Sequence, residues 1–257
     1  MALPNAHAPS TPVAADAAAR RTRFLLVAAA ACLLAAGVAL PFDVTVARWL
    51  RTTRPPRELL RLLNFSEVFA HGTGVAALLV AALALDRSLR PGPAGVGGEP
   101  TAGVRRFISG GFAGLVTTSY AGGLLADVVK AVVDRVRPRA IDFATLPDTA
   151  QAGLSAGLTA AFDTFGTAAL TQPGGHAEVN SFPSGHAAVA AGFAAALSAR
   201  YPHAAWCFAA FALLAAAQRV VSLAHYPSDV ACGAALGLAA AAGCLAVLPG
   251  AASRRQG

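Results

Sequence analysis

Apolar residues in this chain fall in long, nearly unbroken blocks separated by short polar stretches. That is the pattern of helices crossing a bilayer, not of amphipathic helices around a soluble core. A helix needs roughly 20 apolar residues to cross the hydrocarbon layer. The blocks at 24–42, 64–85, 107–133, 185–199, 203–217 and 227–248 predict six spans. Since backbone groups in lipid must be paired internally, the expected fold is all-α: a polytopic helix bundle with six transmembrane helices. The membrane domain runs 24–248, between an Ala/Pro-rich tail at 1–23, predicted to be disordered, and a basic tail at 249–257.

The polar stretches are not alike. Residues 43–63 mix Arg48, Arg51, Arg54, Arg57 and Arg61 with Trp49 and several leucines, and Pro55-Pro56 interrupts them. This reads as an interfacial segment, either an anchor or a collector of anionic headgroups. The second block opens on Asn64, Ser66, Glu67 and His71, where Glu67 and His71 stand one helical turn apart, as an internal polar pair or as substrate contacts. A Gly/Pro-rich connector spans 86–106, and Gly110-x3-Gly114 in the third block permits close helix packing. Residues 139–182 form a long, loosely patterned loop holding Phe143, Phe162, Phe165, His176 and Glu178, either a lid or disordered.

Composition agrees. The chain is 56% hydrophobic and 13% charged, against about 25% charged for a soluble domain. Basic residues before the first block resemble a secretory signal, but the blocks that follow favour an uncleaved first helix. A net charge of +7 raises the question of nucleic acid, yet the arginines are scattered between apolar blocks and not clustered with aromatics, so no nucleic-acid partner is expected. Membrane lipids and topology signals account for them better. Six spans put both termini on one side; basic residues set aside for a site leave a bias toward cytoplasmic termini, a cell-membrane location and an extracytoplasmic site. Cys32, Cys207, Cys232 and Cys244 all lie inside apolar blocks, without C-x-x-C spacing, as small apolar helix residues.

Three polar clusters fall at one membrane face. Asn180-Ser-Phe-Pro-Ser-Gly-His186 precedes an apolar run. Pro183 forbids helix behind it, Ser184 is an N-cap candidate, and Gly185 and His186 open the helix. Such a start presents unpaired N–H groups and partial positive charge to an oxyanion, or is simply a capped helix with a histidine. Lys130 and Arg137 are seven residues apart, nearly two helical turns, so a helix continuing to Pro138 sets them on one face. They are site cations, or snorkelling anchors partnered by Asp127 and Asp134. The third cluster, Arg219 to Asp229 with His225, lies between the fifth and sixth blocks. Ionisable groups at this depth are costly, and their convergence exceeds what anchoring requires.

Lys130-x6-Arg137-Pro138, Pro183-Ser-Gly-His186 and Arg219-x5-His225-x3-Asp229 resemble, in order and spacing, the three signature motifs of the type 2 phosphatidic acid phosphatase superfamily. One departure is Gln218, where that family usually has Ser; Gln can still donate a hydrogen bond to phosphate. The resemblance implies metal-independent hydrolysis of a lipid phosphomonoester or pyrophosphate through a phosphohistidine. It assigns His225 as nucleophile, Asp229 as the group holding its other ring nitrogen, and His186 as acid–base. Lys130, Arg137, Ser184, Gly185 and Arg219 bind phosphate. No cofactor and no metal are implied. Candidate substrates are undecaprenyl pyrophosphate, phosphatidic acid and phosphatidylglycerophosphate types. Alternatives are a phosphotransferase of the same family and a non-catalytic anion carrier.

Overall fold

The computed structural model describes residues 12–53, 55–89, 111–146, 153–166 and 176–247. The described chain is helical, with isolated bridges but no named strand. Helices α1 (Pro12–Ala39), α2 (Asp43–Thr52), α3 (Arg57–Ser66) and α4 (Gly72–Leu85) precede α5 (Gly111–Lys130). Then come α6 (Gly153–Phe162), the short α7 (His176–Val179), α8 (Gly185–Arg200), α9 (Ala205–Val221) and α10 (Pro227–Val247). Residues expected in a disordered tail are helical from Pro12 onward, because α1 extends the first apolar block backwards through Ala-rich sequence of high helix propensity. Residues 1–11, most of the 86–106 connector, Gly110 and the whole basic tail at 249–257 lie outside the described residues.

Among the described residues, four helical segments are long and apolar enough to cross a membrane: Asp16–Thr52, Gly111–Lys130, Pro202–Val221 and Pro227–Val247. A fifth results if Arg57–Phe69 and Gly72–Leu85, bent by 67° at their junction, act as one broken span. The remaining expected block is α8, with 16 residues and so about 24 Å long. It falls short of the hydrocarbon thickness of about 30 Å, and it is the innermost helix. Every residue from Ala187 to Leu197 is buried, packed on α5, α9 and α10. Large side chains such as Phe24, Leu34, Leu85, Trp206 and Leu213 point outward and stay exposed, an apolar exterior that suits lipid. The protein is a membrane protein.

Small residues set the spacing around α8. A Cβ on Gly237 of α10 would collide with the Ala188 carbonyl, and one on Gly192 of α8 would stand 2.8 Å from the Thr118 carbonyl of α5. Close backbone approach of this kind is how membrane helices gain packing without a hydrophobic driving force. At the other end of α3, Phe69 lies between Phe193 of α8 (centroids 4.7 Å) and Phe211 of α9 (5.7 Å), which ties the bend before α4 to the core.

The stretch read as a loose loop is folded over its described part. Arg135 N–H donates to Val179 O (2.7 Å), Arg137 N–H to Glu178 O (2.8 Å) and Val136 N–H to Thr164 O (2.8 Å). Val44, Val136, Ile141, Leu146, Ala160 and Val179 form a core of their own beneath it. The arginines of α2 brace this unit. Arg48 donates to the Phe143 and Leu146 carbonyls (3.0 and 3.1 Å), and Arg51 to the Arg139 carbonyl (3.0 Å). The guanidinium of Arg51 also lies 4.9 Å from the Phe143 ring centre. These two cations hold protein carbonyls, a role that neither headgroup collection nor simple anchoring anticipated.

Candidate active site

The site is built around the start of α8. Ser184 adopts extended backbone angles and its Oγ accepts the Ala187 N–H at 3.4 Å, the cap expected from the sequence. Its side chain is fully buried, and its N–H donates to the Asp229 carbonyl at 3.0 Å. The free N-terminal face of the helix is therefore Gly185. A Cβ there would lie 2.9 Å from Lys130 Nζ, so the last residue of α5 brings its ammonium directly over the first residue of α8. Lys130 also contacts Asp127 Oδ1 at 3.3 Å.

Lys130 and Arg137 do not share a helix face as expected. Helix α5 stops at Lys130, and Arg135 to Arg137 run extended beside the segment ending at Ser181. Val132 and Val133 weaken the helix, and the pairing with Val179 and Glu178 satisfies the N–H groups of Arg135 and Arg137 better than another turn could. Arg137 nevertheless reaches the same place: its Nη2 donates to the Asn180 carbonyl at 3.4 Å, and its buried Nε has no partner among the described residues. Burial and the neighbouring Arg139 hold its guanidinium below the usual arginine value.

Arg219, near the end of α9, donates through Nε to Gln218 Oε1 (2.6 Å) and through Nη2 to Glu67 Oε1 (2.8 Å). Gln218 Nε2 in turn donates to Asn64 Oδ1 at 3.3 Å. Gln218 thus orients the arginine and ties it to α3, so the amide that could have donated to phosphate is already engaged within the protein. Glu67 and His71 do not pair through their side chains. His71 Nδ1 meets Thr73 Oγ1 at 2.8 Å, and its ring packs edge-on to His186 at 5.6 Å between centroids. His186 Nε2 is buried with no hydrogen-bond partner among the described residues.

Helix α9 ends in a turn that delivers His225. Leu223 has φ 55°, a left-handed conformation costly for a branched side chain, and the Ala224 and His225 N–H groups both donate to the Arg219 carbonyl at 3.1 Å. His225 Nδ1 lies 2.6 Å from the Ser181 carbonyl oxygen. A carbonyl can only accept, so Nδ1 carries the proton and Nε2 keeps its lone pair. Asp229, expected to hold this nitrogen, stands 3.9 Å away. Its Oδ2 instead accepts from Ser181 Oγ (2.6 Å) and the Tyr226 N–H (2.9 Å). Asp229 therefore fixes Ser181, and the Ser181 carbonyl fixes the ring. Burial pushes His225 below the usual histidine value, with the Asp229 carboxylate opposing.

Sequence reasoning placed Arg135 in the first polar cluster but gave it no role of its own; its side chain is wholly buried. It forms ion pairs with Asp229 and, at 2.8 Å, with Asp43 of α2. It also donates to Ser228 Oγ and Thr164 Oγ1, each at 2.9 Å. The Phe165 and Tyr226 ring centres lie 4.6 and 4.2 Å from its guanidinium carbon. Burial opposes its charge, but Asp229 and Asp43 outweigh that and hold it above the usual arginine value. Its only signal in the sequence was a charged residue two positions from Arg137; its partner Asp43 is 92 positions away.

The carboxylates around the site are thus engaged by cations: Asp229 and Asp43 by Arg135, Glu67 by Arg219, Asp127 by Lys130 and Glu178 by Arg139. Among the described residues no group of three His, Cys, Asp or Glu side chains is arranged to hold a metal ion. His186 has Arg219, His225, His71 and Lys130 as its charged or titratable neighbours, a cluster short of negative charge. Comparison with curated proteins, and with solved structures, gave no match. The profile of the PAP2 superfamily matches residues 111–252, more than half of the chain and all three clusters. With that match added to the geometry, the chain belongs to the PAP2 superfamily, a family of phosphatases acting on phosphate esters.

Proposed function

We propose that this protein is a membrane lipid phosphatase that hydrolyses a lipid phosphomonoester or pyrophosphate through a phosphohistidine at His225, without a metal ion. The observation that carries the reading is the hydrogen bond from His225 Nδ1 to the Ser181 carbonyl, which leaves Nε2 as an unprotonated nucleophile beside a cluster of cations. The phosphoryl oxygens fit among Lys130 Nζ, the Gly185 N–H, Arg137 and the part of Arg219 not taken by Glu67 and Gln218. Nε2 attacks phosphorus, the bond to the leaving oxygen breaks, and His186 gives that oxygen a proton. In the second step His186 takes a proton from water as it attacks the phosphohistidine, releasing phosphate and restoring His225. The imidazolium formed in the first step lies near the Asp229 carboxylate.

Metal-free chemistry is supported by the engagement of the nearby carboxylates, which act as counterions to arginine and lysine. A lipid substrate is supported by the apolar exterior, with candidates of the undecaprenyl pyrophosphate, phosphatidic acid and phosphatidylglycerophosphate types. Six spans with cytoplasmic termini, α8 being one of them, and an extracytoplasmic site complete the reading. The test is phosphate release from a panel of lipid mono- and diphosphates in detergent, with and without EDTA, for the wild type and His225→Ala. Release unaffected by EDTA and lost in the variant is expected. Turnover that survives in His225→Ala overturns the mechanism, and release only when an acceptor alcohol is added points to phosphate transfer.

A further inference from the structure

We propose that Asp43 is a positioning residue for the reaction, acting on His225 through Arg135 and Asp229. The inference rests on the phosphohistidine reading. Asp43 opens α2, in the N-terminal part of the chain that the family match does not cover, and it is completely buried. Its Oδ1 accepts the Ser228 N–H at 3.0 Å, and its Oδ2 accepts Arg135 Nη2 at 2.8 Å and the Ser228 hydroxyl. Arg135 Nη1 then donates to Asp229 Oδ1 and to Ser228 Oγ. Asp229 receives Ser181 Oγ, and the Ser181 carbonyl receives His225 Nδ1. One line of hydrogen bonds therefore runs from α2 to the nucleophile, and none of Asp43, Arg135, Ser181, Asp229 and His225 is more than 2% exposed.

The charges in this line are uneven. Two carboxylates flank one guanidinium, so when both are ionised the group carries one excess negative charge while His225 is neutral, and it becomes balanced when the imidazolium forms. An uncompensated charge away from solvent is costly, and it is relieved as the nucleophile becomes cationic. Asp43 supplies that excess. Without it, Arg135 neutralises Asp229, and the carboxylate nearest His225 has less to offer the developing positive charge. The other groups facing His225 are Arg137 on the extended segment and His186 on α8, both of which disfavour added positive charge.

The test uses the full-length protein in detergent with dioctanoyl phosphatidic acid, reading inorganic phosphate across pH. Asp43→Asn leaves one guanidinium facing one carboxylate, a balanced pair that folds. Its kcat is expected to fall about tenfold with KM little changed, and the acid limb of kcat/KM to move to lower pH, because a negative neighbour of the imidazolium is gone. Asp43→Asn combined with Arg135→Gln leaves Asp229 unopposed, and its limb is expected to move to higher pH. This second variant reads the opposite sign in the same assay. A purely structural Asp43 lowers yield and melting temperature but leaves both limbs where the wild type has them, and that result overturns the inference. If His225→Ala retains turnover, the phosphohistidine reading itself has failed, whatever the Asp43 variants show.

Discussion

Glu67 Oε1 lies 2.8 Å from Arg219 Nη2, so an acidic side chain from the bend before α4 already occupies one edge of the arginine proposed to receive phosphate. Exposure of the pair is low, 12% for Arg219 and 34% for Glu67. Glu67→Gln removes a negative charge that repels the substrate and competes for the guanidinium. Inhibition by inorganic phosphate and by vanadate is expected to tighten several-fold, while kcat falls because Arg219 is less firmly aimed. Unchanged inhibition constants would show that Glu67 does not face the bound anion.

Lys130 and Arg137, both proposed to hold the anion, come to the site from different backbone contexts and should fail separately. Lys130→Ala removes the ammonium over Gly185, and Arg137→Ala removes the guanidinium with the unpartnered Nε. Each is expected to cost about 10²–10³ in kcat, the range for loss of one preorganised donor to a transition state. Steady-state kinetics on one short-chain substrate decides this; a change confined to KM would mark either residue as a binder of ground-state charge only.

The direction of the His225 shift gives a pH prediction. Burial holds the folded-state value below the ordinary 6.5, so the neutral nucleophile persists on the acid side of neutrality. The acid limb of kcat/KM is expected below pH 6.5. The unfolded chain then binds more protons at this residue, so its contribution to stability is complete above the unfolded value and declines as pH falls through it. Melting temperatures in detergent should drop between pH 7.5 and pH 5, and the His225→Ala protein should show a smaller drop.

Helix spacing makes a prediction away from the chemistry. Gly237→Ala puts a methyl group into the Ala188 carbonyl and should destabilise the protein by about 1–3 kcal/mol. Gly243→Ala, on the same helix with open space beside it, should be neutral or slightly stabilising. Thermal unfolding of the two variants side by side separates local crowding from a general effect of glycine.

Local patterns were legible and long-range pairings were not. Pro183, Ser184 and the apolar run after them specify a capped helix from neighbouring residues alone, and α8 starts at Gly185 as read. The helix through Lys130 and Arg137 was a misreading because spacing was counted on a helix that ends at Lys130, where pairing with Val179 and Glu178 took over. Hydropathy marked where apolar blocks lie but could not show that α8 is too short and too enclosed to resemble the others. Arg135 and Asp43 look like ordinary charged residues until the fold brings them together. The Ser181 carbonyl has no side-chain signature at all, although it holds the His225 ring.

The enclosure of α8 bears on how such a site can diversify. An alanine-rich helix gripped on its flanks cannot tilt or swell to admit a different headgroup, so His186 and the Gly185 N–H are fixed points. New substrates must be accommodated by the pieces that border the anion without being locked into the centre. The bend carrying Asn64, Glu67 and His71 is the piece that meets this description, since it touches Arg219 and His186 from outside the bundle's middle. Variation in leaving-group preference is therefore expected to concentrate between α3 and α4, while the residues facing α8 stay small.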